Sequence, residues 1–177
     1  MNATSAERDP SRPFATSAAA GVPVDPAFWK PRRVLLTGHT GFKGAWLALW
    51  LQALGAEVTG FSNRVPTEPS LYVLAELETS MQSIAGDIRD PVAVEQALAI
   101  SRPEVVIHMA AQSLVRRSFS EPRETYETNV MGTVNLLEAA RRQDDVRVVV
   151  NVTSDKCYEN REWEWPYRES EPMGGHD

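Results

Sequence analysis

The chain has 177 residues, 42% hydrophobic and 24% charged, with 18 basic against 24 acidic side chains and a net charge of −6. That length supports one domain with a real core, and the acidic balance argues against nucleic acid as the main partner. A single cysteine, Cys157, excludes an internal disulfide framework and fits a reducing cytosol, and no apolar run reaches the ~20 residues of a bilayer span.

The first 26 residues are rich in Ala, Ser and Pro. No apolar block follows a basic start, so a disordered tail over 1–27 is expected rather than a secretory signal. From Arg33 onward strands and helices alternate. "RVLLTG" (33–38) reads as a buried parallel strand, and "FKGAWLALWLQALG" as a helix, with Trp46, Leu47, Trp50, Leu51 and Leu54 at helical spacing and Gly55 as its stop. "AEVTGF" (56–61) is a second strand, "SLYVLAEL" (70–77) a short helix, and "SIAGD" (83–87) a third strand. "DPVAVEQALAIS" opens with Asp90 as cap and Pro91 at the first helical position. "PEVVIHMAA" (103–111) is the fourth strand, 121–143 one long helix, and "VRVVVNVTS" (146–154) the fifth strand.

This alternation predicts an α/β fold with a parallel sheet covered on both sides, whose ligands sit beyond the carboxyl ends of the strands. Gly38, Gly41 and Gly44 in "TGHTGFKG" lie at G-x-x-G-x-x-G spacing between the first strand and helix. Such glycines allow a tight turn, close approach of backbone to a pyrophosphate, and tight helix packing, while the helix start offers free N–H donors. The pattern predicts a Rossmann-type, doubly wound dinucleotide-binding domain over 28–177. Within it, Gly38, Thr40, Gly41, Phe42 and Gly44 form the phosphate loop. Asp87, followed by Ile88, is placed to accept from an adenine amino group, and Ala110, Ala111 and Gln112 form a small-residue floor for the cofactor. His108 is read as a core or strand-end residue, and no metal site is expected. An Asp or Glu ending the second strand would favour NAD. Ser62, Asn63 and Arg64 stand there instead, and Arg64 could meet a 2′-phosphate, so local pattern leaves NAD against NADP open.

"TGHTGFKG", "GDIRD", "HMAAQSLVRRSF", "ETYETNVMGT" and "NVTSDKCYENREWEW" together resemble the extended short-chain dehydrogenase/reductases, and within them the CDP-glucose 4,6-dehydratases, over about residues 28–177. The resemblance implies NAD as cofactor, CDP-glucose as substrate, a cytoplasmic lyase of surface polysaccharide biosynthesis, and a homo-oligomer for the full-length enzyme. It implies oxidation at C4 of the sugar, loss of water across C5 and C6, and return of the hydride to C6. On this reading Ser154 polarises the C4 oxygen and Asp155 protonates the departing C6 hydroxyl. Lys156 stands where the wider family has its C5 base, and Asn129 helps to order the site. A free Lys has a pKa near 10.4, so a base role near neutral pH calls for a drop of about 3 units, from burial or nearby cations. A charged Lys156 that stabilises the enolate is the alternative.

The family's Tyr-x-x-x-Lys pair is not found: Tyr72, Tyr126, Tyr158 and Tyr167 are followed four residues later by Glu76, Val130, Glu162 and Glu171. The expectation is therefore an amino-terminal part of the family's fold, truncated after the fifth strand, without turnover of its own and with that strand exposed. A nucleotide-sugar epimerase and a non-catalytic NAD-binding module remain as the other readings.

Overall fold

Side-chain alternation on the central strand sets up the layers. In β1 (Arg33–Thr37), Val34 and Leu36 point into one apolar cluster and Leu35 into the other, the period-two pattern of a strand buried on both faces. The computed structural model describes residues 24–174. β1 pairs in parallel with β2 (Glu57–Ser62), which pairs with β3 (Gln82–Ala85); on its other side lie β4 (Val105–His108) and then β5 (Val148–Asn151). The order β3-β2-β1-β4-β5 brings every carboxyl end to one edge, with the direction of winding reversing between β1 and β4.

Eight α-helices are described, beginning with α1 (Pro26–Trp29) and α2 (Phe42–Ala53). They continue with α3 (Leu71–Leu74), α4 (Leu77–Ser80), α5 (Pro91–Ser101), α6 (Val115–Ser120), α7 (Pro122–Tyr126) and α8 (Gly132–Arg141). Residues of α2, α3 and α4 join Val58 and Ile107 in one cluster. Residues of α5 and α8 join Phe61 and Val106 in the other. Asp90 caps α5 as expected, accepting from the N–H of Val92 at 2.9 Å and of Ala93 at 3.3 Å.

Four expectations need correction. The tail boundary at residue 27 falls inside α1, where the Asp25 carboxylate accepts the Ala27 N–H at 2.8 Å; the remainder of that tail, 1–23, lies outside the described residues. In α2, Trp46 and Trp50 face outward and Gly44, Ala45, Ala48 and Leu51 are the buried residues. The short helix at 70–77 is two, α3 and α4, separated by Glu76 in the left-handed region at φ 51°. The long helix at 121–143 holds a five-residue π-turn, Glu127–Met131, between α7 and α8, and α6 precedes it.

β5 is an edge among the described residues. Val148, Val149, Val150 and Val152 are between 36% and 49% exposed, so an apolar strand presents unpaired backbone groups to solvent. The chain is expected to associate as its concentration rises, and Val150→Lys should suppress this without changing the far-ultraviolet circular dichroism. Sedimentation over a concentration series checks it, and an unchanged association for V150K would remove the β5 edge as the cause.

Candidate functional site

The site is built where β1 and β4 diverge. Gly38 follows β1 at φ 74°, and a Cβ there would lie 2.9 Å from the Met109 carbonyl carbon and oxygen and from the Ala110 nitrogen. A Cβ on Gly44 would overlap the Gly38 carbonyl. These two positions need glycine, one for its backbone conformation and both for space. Gly41 is the N-cap of α2 and provides no side-chain cap, so the first-turn N–H groups point outward without a side-chain acceptor. This cradle fits a pyrophosphate: bare backbone donors, the positive end of a helix, and no side chain in the way.

The remaining loop residues divide between surface and interior. Phe42 is 71% exposed, whereas the Thr40 hydroxyl turns inward, donating to the Arg64 carbonyl at 2.6 Å with Ser62 Oγ at 2.8 Å. Thr40 therefore ties the loop to the end of β2 through its side chain. Ile88 is buried in the second apolar cluster, where a Cβ on Gly132 would come within 2.7 Å of it. The Asp87 carboxylate is engaged by Arg89, whose Nη2 lies 2.6 Å from one oxygen and whose backbone N–H donates to the other at 2.9 Å. That guanidinium holds the Asp87 carboxyl below its usual range, with burial opposing and the Asn63 side chain assisting.

After β4, Ala110 is half-buried and Ala111 exposed. Gln112 is fixed by the Asn129 amide, which accepts its N–H at 2.8 Å and donates to its carbonyl at 2.9 Å. Asn129 sits in the π-turn, a local widening of the helix often found at functional sites. Beyond β5, whose ladder extends through the Val152 N–H to the His108 carbonyl at 3.0 Å, Asp155 opens a 3-10 turn, Asp155–Cys157. Ser154 Oγ accepts the Lys156 N–H at 3.1 Å, so the hydroxyl also shapes this turn. Lys156 is exposed. Arg117, in α6, pairs with Glu124 at 2.6 Å.

Sequence reasoning missed one buried polar group beneath the edge, His39, while His108 is the buried strand-end residue it expected. His39, between Gly38 and Thr40, occupies the space that Gly60 leaves empty on β2; its Nε2 lies 2.7 Å from Ser83 Oγ, to which Tyr72 donates at 3.1 Å. Its Nδ1 has no hydrogen-bond partner among the described residues. His108, at the end of β4, lies between Thr37 and Thr133. The legible signal for His39 was a ring-bearing polar residue just past the apolar run of β1. Among the described residues no helix is long and apolar enough to cross a membrane, and no cluster of His, Cys, Asp or Glu is gathered that could hold a metal.

With that geometry in place, residues 35–176 match the family model described as GDP-mannose 4,6 dehydratase. The chain belongs to this family. A CDP-glucose 4,6-dehydratase of Salmonella typhimurium is 55% identical over 87% of the chain, and the match covers 43% of that relative. Among solved structures, the UDP-glucose 4-epimerase of Thermus thermophilus in complex with NAD is 31% identical with a TM-score of 0.70, over 81% of this chain and 44% of that one. The epimerase of Bifidobacterium longum with NAD+ and UDP is 28% identical with the same TM-score of 0.70, covering 80% of this chain and 42% of that one. The chain thus spans less than half the length of these relatives.

Burial lowers the pKa of both His39 and His108 from 6.5 to about 4, with the Phe61 carbonyl only partly opposing this for His39. The unfolded chain then binds more protons between these values, so stability is fully present above about pH 6.5 and declines towards pH 4. Urea unfolding is expected to show a loss of roughly 2 kcal/mol per histidine between about pH 7.5 and pH 5. A pH-independent unfolding free energy over that interval would contradict the neutral, buried state of both rings.

Proposed function

We propose that this chain is the dinucleotide-binding part of a CDP-glucose 4,6-dehydratase, a lyase that converts CDP-D-glucose to CDP-4-dehydro-6-deoxy-D-glucose and water. The observation that carries this reading is the 55% identity over 87% of the chain to the Salmonella enzyme. NAD is the proposed cofactor. The pyrophosphate would rest on the loop of Gly38, Gly41 and Gly44, with Asp87 near the adenine and Ala110 to Gln112 beneath the dinucleotide. When bound, NAD supplies a reversible hydride acceptor.

The residues after β5 would handle protons and polarisation. Ser154 would donate to the C4 oxygen of the sugar, stabilising negative charge as the ketone is enolised. Asp155 would deliver a proton to the departing C6 hydroxyl, and Lys156 would take the C5 proton or stabilise the resulting enolate. All lie at the same sheet edge as the glycine loop, which supports one shared crevice. Exposure of Lys156 supports the further reading that the chain alone binds cofactor without turning substrate over.

The similarity to UDP-glucose 4-epimerases favours a second reading, in which the crevice oxidises C4 without dehydration. Asp155→Asn separates the two in a protein that joins this chain to the family's remaining residues. A dehydratase should lose elimination and keep C4 oxidation, whereas an epimerase should be indifferent.

For the 177-residue chain, calorimetric titration with NAD+ is expected to give saturable binding, and Gly44→Ala should weaken it about tenfold or more, since the added Cβ displaces the Gly38 carbonyl. Chromatography of a mixture with NAD+ and CDP-glucose should detect no dehydrated product. Absence of NAD+ binding would sink the cofactor assignment, and clear product would overturn the binding-only reading.

A further inference from the structure

The groups around His108 admit one arrangement of hydrogens. Thr37 Oγ1 lies 3.1 Å from the backbone nitrogens of both Met109 and Ala110, and each of these N–H groups donates to it. A hydroxyl has two acceptor lone pairs and one proton. With both lone pairs used, the Thr37 proton goes to His108 Nδ1, 2.7 Å away. Nδ1 is then unprotonated, and the neutral ring carries its hydrogen on Nε2, which donates to Thr133 Oγ1 at 3.1 Å. The Thr133 hydroxyl in turn donates to the Asn129 carbonyl at 2.7 Å, one turn back in the helix.

Both ends of this line reach the same short loop. Thr37 holds the N–H groups of Met109 and Ala110, and the Asn129 side chain holds both backbone groups of Gln112. Between them run the end of β1, the end of β4 and the π-turn Glu127–Met131. Shifting the π-turn by one residue would rotate Asn129 by about 100° around the helix axis and release Gln112. A protonated ring would direct a second N–H at Thr37, whose lone pairs are already occupied, so the line also selects the neutral imidazole. Burial that lowers the His108 pKa to about 4 agrees with this.

We propose that Thr37, His108 and Thr133 form a one-directional hydrogen-bond line that holds the π-turn and the 109–112 backbone in register, making His108 a positioning residue for the cofactor floor. The last step rests on the reading that NAD lies over this loop. The line reaches the cofactor only through Asn129 and the loop backbone, so His108 touches no reacting atom.

Two measurements on the 177-residue chain test it. Nitrogen-15 NMR at neutral pH should show His108 with Nε2 protonated and Nδ1 bare. Thr133→Val keeps the shape of the side chain but removes the hydroxyl, and Thr133→Ser restores it. T133V is expected to shift the Gln112 amide resonance and to weaken NAD+ binding about tenfold, the effect of one lost hydrogen bond, while T133S stays within about twofold of the parent. A hydrogen on Nδ1, or equal NAD+ affinities and unshifted Gln112 for T133V and T133S, would overturn the proposal. If the parent chain bound no NAD+, the cofactor reading would fall; the ring tautomer and the Gln112 shift would still decide the line. The tautomer needs no variant, so misfolding of T133V would leave the proposal testable.

Discussion

The contact of Gly38 with the backbone of Met109 and Ala110 is the constraint on which the site rests. It joins the turn after β1 to the turn after β4 at van der Waals distance, with no room for a Cβ between them. Parallel pairing of β1 with β4 in register from Val34 to Thr37 brings those two turns together, and Thr37 reinforces the junction with two backbone hydrogen bonds. The same closeness continues into α2, where Gly44 lies against the Gly38 carbonyl and Ala45 and Ala48 face the strands. A cradle for phosphates follows from this packing, since the donors that open the helix are left clear of side chains.

Beneath that cradle the fold keeps two imidazoles away from water, an arrangement that costs stability unless the rings remain neutral and hydrogen-bonded. His39 answers to β3 and α3 through Ser83 and Tyr72, while His108 answers to β1 and α8 through Thr37 and Thr133. Polar groups in these places bind neighbouring elements in fixed orientations, which apolar contacts alone do not do. The loop geometry is thereby set from below as well as by the glycines. The trio after β5 stands in contrast: Ser154 and Lys156 are exposed, next to a strand whose valines face solvent. The glycine loop is thus backed by packed residues, whereas Ser154 and Lys156 lie at the surface.

Much of this was legible in the sequence because it depends on local rules. Five apolar runs gave five strands, Asp90-Pro91 gave a capped helix, and Gly55 ended α2 at φ 88°. The glycine spacing pointed to the cradle, since each glycine answers a short-range steric demand. What escaped notice depended on partners distant in the chain. Trp46 and Trp50 follow helical spacing but face outward, because the room available is decided by β1 and β2 rather than by α2. Asp87 read as an adenine contact, yet the fold also gives its carboxylate to Arg89. No pattern announced the π-turn, beside which Gly132 lies against Ile88 and Thr133 donates to Asn129.

By itself, then, the sequence determined the five strands, the edge of the sheet where a ligand belongs, and the backbone freedom that a phosphate requires, all consequences of neighbours within a few residues. Tertiary structure decided which face of each helix is buried, which nitrogen of His108 carries its hydrogen, and how Asn129 meets Gln112. Those outcomes depend on groups 17 to 73 positions apart that meet only when β1, β4 and α8 are assembled.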